Sequence, residues 1–356
     1  RVQTITMTDE PIQVLLTKVN VTGGKEISGA TVAVYRAKED GTLAKHQMKD
    51  KNGNLLYVTD TDGNLLQDED GNHIPAMEYE EAYLVERWIS GSDGTYTKRD
   101  QKEGRIPEGY EIGDLRLHEL RQPAAGNYYF VEEQSPFGYV RAAELPFAIV
   151  DTLDIQKIEL VNELILGQVE IIKTDKRNPE QVLSGARFRL SNLDTNVATI
   201  LITDSDGRAV SSPVPIGGIG TDGAVSLYHF RIQEVEAPDG YLLDPTVHDF
   251  QFNIKTDQYQ TLTYQYEAAD SPNRVIISKK QLTTKEELPG ASLEVRRVTE
   301  MVDKDGTVIR IDGDVIESWI STEVPHELEC LTEGMYVLIE TRAPEGYIEA
   351  EKVYFT

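Results

Sequence analysis

One cysteine, no long apolar run and a shortage of positive charge are the absences that bound this chain. With Cys330 alone, no intrachain disulfide can form, which excludes the class of small secreted folds stapled by disulfide bridges. Its setting, Glu327-Leu-Glu-Cys-Leu331, alternates like a strand and predicts a buried structural thiol. No apolar stretch reaches the roughly 20 residues that span a bilayer. No signal peptide begins at Arg1, and the ends read as those of a segment of a longer protein. Against 61 Asp and Glu stand only 35 Lys and Arg, a formal net charge of −26. That balance opposes nucleic acid and anionic membranes and favours solubility. The histidines His46, His73, His118, His229, His248 and His326 lack metal-ligand spacing. His118 and His326 each stand ten residues before a tyrosine, Tyr128 and Tyr336, an equivalence that reads as structural. There is no Gly-x-Ser-x-Gly, no phosphate-binding glycine loop and no Cys–His pair, so neither a classical enzyme nor a cofactor is expected. A Leu-Pro-x-Thr-Gly sorting signal is also missing, and Leu145-Pro-Phe-Ala-Ile149 reads as an internal strand.

What is present has period two. Thr31-Val-Ala-Val-Tyr35, Arg187-Phe-Arg-Leu190, Ser292-Leu-Glu-Val295 and Phe250-Gln-Phe-Asn-Ile254 alternate as half-buried strands do. Asn52-Gly, Asp62-Gly, Asp70-Gly, Asp206-Gly, Asp239-Gly and Asp305-Gly punctuate them. Many short strands with such turns predict an all-β chain of sandwiches or small barrels.

Three boxes repeat at the ends of three segments: Glu132-Glu-Gln-Ser-Pro-Phe-Gly-Tyr139, Glu234-Val-Glu-Ala-Pro-Asp-Gly-Tyr241 and Glu340-Thr-Arg-Ala-Pro-Glu-Gly-Tyr347. The residues at positions −2 and −4 from each glutamate are apolar, so strand parity turns Glu132, Glu234 and Glu340 into the core. Three strands that open repeats end in lysine: Val14-Leu-Leu-Thr-Lys18, Val169-Glu-Ile-Ile-Lys173 and Val275-Ile-Ile-Ser-Lys279. Parity turns these lysines inward as well. A lone buried charge is costly and finds a partner or neutralises, so Lys and Glu are expected to meet.

The repeat also divides the chain. Residues 1–9 resemble the strands closing the next repeats, Ile158-Glu-Leu-Val-Asn162 and Tyr264-Gln-Tyr-Glu-Ala-Ala-Asp270, and read as the closing strand of a preceding domain that ends in Asp9. Full domains are expected over 10–163 and 164–271, and a third over 272–356 that lacks its closing strand. The first carries a polar insertion at about 37–112, rich in hairpin turns, with Tyr79, Tyr83 and Trp88 as a possible ligand face. Asp60-Thr-Asp-Gly-Asn64 and Asp68-Glu-Asp-Gly-Asn72 suggest calcium loops only faintly, since the bidentate glutamate of an EF-hand is missing, and no metal is expected.

With the Lys strand, the Glu box and a closing strand ending in Asn or Asp, the chain resembles tandem CnaB-type domains, the SpaA-like pilin and collagen-adhesin B-type modules of Gram-positive surface proteins. The resemblance covers nearly the whole chain apart from the insertion. It implies an elongated array of prealbumin-like, Ig-like β-sandwiches. In each, a first-strand Lys and a last-strand Asn or Asp are joined by a spontaneous isopeptide bond that the Glu promotes. Carried over, Lys18 pairs with Asn162 and Glu132, and Lys173 with Asp270 and Glu234; Asn273 is a rival acceptor to Asp270. Lys279 and Glu340 have no acceptor in the third domain, and Asp9 is the acceptor of a preceding domain or of another copy. The role implied is a stalk or backbone segment of a cell-wall adhesin or pilus protein, outside the cell. Its partners would be neighbouring repeats, with no nucleic acid and no membrane insertion. The alternative is an adhesive module that holds a host protein or glycan through the insertion.

Overall fold

The computed structural model describes residues 6–20, 24–68, 70–220, 224–258, 261–302 and 304–356. The described chain is nearly all-β, with one short α-helix at Lys98–Lys102, and three pairs of sheets follow one another along it. In the first unit, β1 (Val14–Asn20) lies between β6 (His118–Leu120), antiparallel, and β9 (Gln156–Asn162), parallel. The facing sheet has the order β5-β2-β7-β8, from β2 (Thr31–Arg36), β5 (Leu84–Ile89), β7 (Gly126–Gln134) and β8 (Leu145–Ile149). Alternation sends Val14, Leu16, Val32, Val34, Tyr128 and Phe130 between the two sheets, all 2 % exposed or less. Each such side chain contributes roughly 1.5–3 kcal/mol by leaving water.

The stretch 37–112, read as one insertion, is interrupted by β5, which pairs with β2 and belongs to the main sheet. Its alternating Leu84, Glu86 and Trp88 could have been read as sandwich strand, but the surrounding turn residues masked it. Before β5 lie β3 (Lys45–Gln47), β4 (Met77–Tyr79) and three turns. In these, Asp50, Asp60 and Asp68 accept hydrogen bonds from the backbone amides of Asn54, Asn64 and Asn72. The aspartates are thus occupied as turn caps, and among the described residues no acidic or His/Cys group has the arrangement of a metal site.

In the second unit β10 (Leu166–Asp175) pairs with β13 (Arg208–Val210) and β14 (Val214–Pro215) on one side. On its other side it runs parallel to β19 (Thr261–Asp270). The facing sheet is β12-β11-β17-β18, built from β11 (Arg187–Asn192), β12 (Val197–Ile202), β17 (Phe230–Glu236) and β18 (Val247–Phe250). A hairpin of β15 (Gly217–Ile219) and β16 (Val225–Leu227) precedes β17.

The third unit has β20 (Arg274–Ile277) paired with β23 (His326–Glu329), facing the order β22-β21-β24-β25. Those strands are β21 (Ser292–Val302), β22 (Val308–Ile320), β24 (Met335–Arg342) and β25 (Val353–Phe355). On the side where β1 and β10 have β9 and β19, β20 has no strand among the described residues. Residues 1–5 of the closing strand expected over 1–9 lie outside the described residues, and Met7 to Asp9 are exposed and outside any strand.

Candidate functional site

Parallel pairing fixes where the expected acceptors, Asn162 and Asp270, sit. Lys18 lies opposite Leu160, and Asn162 is two residues further on. Lys173 lies opposite Ala268, and Asp270 is again two further on. An offset of two keeps lysine and acceptor on one face of the sheet, turned towards the facing sheet that carries the glutamate.

The glutamates are placed by a β-bulge that occurs in all three units. Val32 opposes Glu132 while Thr31 opposes Gln134. Phe188 opposes Glu234 while Arg187 opposes Glu236. Leu293 opposes Glu340 while Ser292 opposes Arg342. One extra residue after each glutamate bends the strand, which is how bulges aim a side chain. A second device is equally regular: the amide ten residues on donates to Oε2, from Ala142 at 2.6 Å, Asp244 at 3.0 Å and Ala350 at 2.6 Å. The boxes then close in Pro-x-Gly-Tyr turns, in which the tyrosine N–H donates to the proline carbonyl and glycine takes φ near +85°, as the third position of a type II turn requires.

In the first unit Lys18 and Glu132 are 0 % and 1 % exposed. Their Nζ and Oε1 lie 3.0 Å apart, off the line of a hydrogen bond. Oε2 accepts from Nδ2 of Asn162 at 2.9 Å. Glu132 thus spans the amine and the amide nitrogen. Asn162 Oδ1 is buried without a hydrogen bond. Burial, opposed by the charge of Glu132, lowers the Lys18 pKa to about 8.

In the second unit Lys173 Nζ lies 2.5 Å from Asp270 Oδ1 and 2.9 Å from Glu234 Oε1, and all three residues are 3 % exposed or less. Burial pushes the Glu234 carboxyl up, against the hydrogen bonds from Lys173 and the Asp244 amide, and the charge of Asp270 adds to the rise. Two carboxylates cannot both stay ionised beside one ammonium in a dry site without large cost. Asn273, the rival acceptor, has its side chain committed to the backbone of Leu331, donating at 2.6 Å and accepting at 2.9 Å.

In the third unit Lys279 donates to Glu340 Oε2 at 2.8 Å. Glu340 Oε1 is buried without a hydrogen bond. The lysine side chain is 17 % exposed, since among the described residues β20 pairs only with β23. Asp9 is exposed and meets none of these groups.

Other expectations are corrected. Cys330 is exposed, not buried. Its φ of +56° turns the chain straight after β23, so the alternation ends one residue before it. Tyr79, Tyr83 and Trp88 do not form one outer patch. Trp88 faces the sandwich, stacked on His118 at 3.9 Å and close to Phe130, while Tyr79 and Tyr83 pack on the opposite face of the sheet beside Ala33, Tyr35 and Val131. The equivalence of His118 and His326 has a structural content: His326 stacks on Trp319 at 4.2 Å as His118 does on Trp88.

Glu26 escaped the sequence reading because no parity marks it. It is 3 % exposed and accepts from the Thr17 hydroxyl and the Lys18 amide. Burial raises its pKa to about 7 despite those bonds. Between about 4.5 and 7 the folded state therefore keeps a proton that the unfolded state has lost. Stability of the first unit should fall as pH rises through that window, by up to about 3 kcal/mol. Thermal melts at pH 5 and pH 7 check this, and Glu26→Gln should flatten the difference.

A sequence model of the SpaA prealbumin-like fold domain matches residues 167–268 and 273–356. This chain belongs to the SpaA prealbumin-like fold family. Among solved structures, the Bacillus anthracis TIE protein is similar at a TM-score of 0.52 and 17 % identity, covering 97 % of this chain and 48 % of that one. The chain therefore spans about half the length of the TIE protein. Weaker likenesses are to a streptococcal ancillary pilin (TM-score 0.27, 17 % identity, 97 % of this chain and 95 % of that one) and to the shaft pilin SpaA from Lactobacillus rhamnosus GG (TM-score 0.27, 16 % identity, 53 % and 93 %). A search of curated proteins gives no match. Among the described residues no helix is long and apolar enough to cross a membrane.

Proposed function

We propose that this chain is a structural stalk segment of a bacterial surface adhesin or pilus protein, stiffened by isopeptide bonds from Lys18 to Asn162 and from Lys173 to Asp270. The observation that carries this reading is the second site, where an amine, its acceptor carboxyl and a glutamate meet within 2.9 Å inside a dry core. A buried ion pair is by itself a weak stabiliser, and the same arrangement in successive units calls for a chemical use.

The chemistry follows from the contacts. An ammonium cannot attack, so the reaction needs a proton to pass from Lys to Glu, a transfer that burial among apolar side chains favours because it removes both charges and leaves a neutral amine beside an acid. Nζ then attacks Cγ of the acceptor, and folding supplies the effective molarity. In the first unit the new Nζ–Cγ bond replaces Cγ–Nδ2. Glu132 takes a proton from the amine at Oε1 and delivers one to Nδ2 at Oε2, so ammonia leaves. In the second unit the new Nζ–Cγ bond replaces one Cγ–O bond of Asp270, and that oxygen collects two protons from the Lys173 ammonium, relayed by Glu234, and leaves as water. Each unit reacts once; Glu132 takes two protons from the ammonium and gives one to the leaving nitrogen, and the remaining proton passes to solvent or to the departing ammonia before the carboxylate is restored. Lys279 and Glu340 would react only with an acceptor strand lying along β20. Asp9 of another copy is the aligned candidate, while within its own chain Asp9 reads as the acceptor of a preceding domain.

Intact mass tests this directly. The unaltered chain should weigh about 35 Da less than its sequence, from about 17 Da for ammonia and about 18 Da for water. Asn162→Ala should restore the first part and Asp270→Ala the second. A mass equal to that of the sequence would refute the proposal for both units.

A further inference from the structure

The contact between lysine and acceptor depends on a register that no turn sets. Strands joined by a hairpin take their register from the turn, but β1 with β9, and β10 with β19, run parallel and are joined only through the rest of their unit. A slide of two residues would keep every side chain on its own face and carry the acceptor about 6.6 Å along the strand. Lys173 Nζ, now 2.5 Å from Asp270 Oδ1, would lose its target. Backbone pairing and the alternation of faces both survive such a slide, so side chains have to exclude it.

The tyrosine that ends each box is placed to do this. Tyr139, 0 % exposed, has its hydroxyl hydrogen-bonded to the side chain of Asn20. The Tyr241 hydroxyl donates to Asp175 Oδ2 at 2.9 Å and accepts from Gln181 Nε2 at 3.1 Å. Asn20 and Asp175 each stand two residues beyond the lysine. In the parallel ladders they lie directly opposite the acceptors, Asn20 against Asn162 and Asp175 against Asp270. The backbone at the same tyrosine holds the other strand. Tyr139 bridges to Leu164 and Tyr241 to Pro272, two residues beyond the acceptor. The amide after each tyrosine donates to the carbonyl of the residue after the acceptor, Val140 to Glu163 at 2.8 Å and Leu242 to Ser271 at 2.9 Å. In the first unit the Val140 carbonyl also accepts from Asn162 Nδ2 at 2.7 Å. Each tyrosine thus grips the lysine strand through its side chain and the acceptor strand through its backbone, at the level where the two meet.

We propose that Tyr139 and Tyr241 are positioning residues for bond formation, each setting the register of the parallel first and last strands that places its unit's lysine against the acceptor. The proposal rests on the isopeptide reading. The hydroxyls act through Asn20 and Asp175, and the proton path through the glutamates is unchanged. Each tyrosine serves only its own unit.

Chain made by cell-free synthesis and followed by intact mass, each variant against its own sequence, tests this. Tyr241→Phe keeps the ring and loses the hydroxyl. It should slow the 18 Da loss about tenfold, since a misplacement of about 1 Å can cost a hundredfold, and leave the 17 Da loss at its unaltered rate. Tyr139→Phe should do the reverse. Asp175→Ala should react as slowly as Tyr241→Phe, and the double variant no more slowly than either. The conservative Asp175→Asn gives the second unit the residue type that the first has at Asn20 and should react at the unaltered rate. An 18 Da loss at the unaltered rate in Tyr241→Phe, both losses slowed together by either tyrosine variant, or Asp175→Asn as slow as Asp175→Ala would overturn the proposal. In a chain carrying Asp270→Ala, where the second bond cannot form, adding Tyr241→Phe should move the melting temperature of the second unit by less than about 5 °C. A larger fall would make the slow rate a matter of folding and overturn the proposal as well. An unaltered chain with no mass deficit would instead refute the bonds themselves, and the positioning role with them.

Discussion

Pulled from its two ends, a chain carrying Asp270→Ala should release about 300 Å of length that the unaltered chain withholds, since roughly 100 residues at 3.3–3.6 Å each lie between Lys173 and position 270. In the proposed cross-linked state, tension enters the second unit along β10, crosses the Lys173–Asp270 bond and leaves at the end of β19. Everything from β11 to β18 lies in a loop that force does not reach. Removing the acceptor puts that loop back in the force path, and it also leaves Lys173 and Glu234 as a buried pair without the bond. By analogy with a disulfide closing a loop of this size, the lost constraint is worth about 4.7 kcal/mol. The melting temperature of the second unit should fall by roughly 20 °C or more. Single-molecule extension gives the sharper reading. The third unit, whose lysine has no acceptor, should itself release roughly 280 Å from residues 272–356, so the reading is the number of steps: an unaltered chain that gives a second step of about 300 Å has no covalent bond between β10 and β19.

The parts of this arrangement that were legible in the sequence are those carried by parity and repetition. Inward Lys18, Lys173 and Lys279 and inward Glu132, Glu234 and Glu340 follow from period two within strands whose ends are marked by turns, whereas Asn162 and Asp270 were reached as acceptors only through the family resemblance. The bulge after each glutamate was not legible, because it inserts an ordinary residue, Glu133, Val235 or Thr341, with no glycine to announce it. Nor was the amide ten residues on, since Ala142, Asp244 and Ala350 share no side chain that a pattern could find. Backbone donors leave no trace in composition. Cys330 was misread for a related reason, as its left-handed φ occurs at a residue type that rarely adopts it. Trp88 was misread because charged neighbours, Glu86 and Arg87, made a sandwich strand look like part of a polar insertion.

The pH dependence of bond formation separates two ways in which the glutamate could act. Lys18, with its pKa near 8, invites the expectation that raising pH through 8 frees the amine and speeds the reaction. If Glu132 were only a base or a bystander, the neutral fraction would rise about tenfold between pH 7 and pH 9 and the rate with it. The relay proposed here gives another result. A neutral amine beside a protonated Glu132 holds the same single proton as the ion pair, so its population does not change with pH while the pair keeps that proton. Above about 8 the pair loses it, and no proton remains for Oε2 to deliver to the leaving nitrogen of Asn162. Chain freshly made by cell-free synthesis and shifted to a series of pH values should therefore lose its 17 Da at a constant rate up to about pH 8, and about tenfold more slowly at pH 9. Glu132→Gln should hold Asn162 in place yet leave the mass of the first unit unchanged at every pH. A rate that instead climbs through pH 8 would remove Glu132 from the proton path and leave burial of the amine as the main source of reactivity.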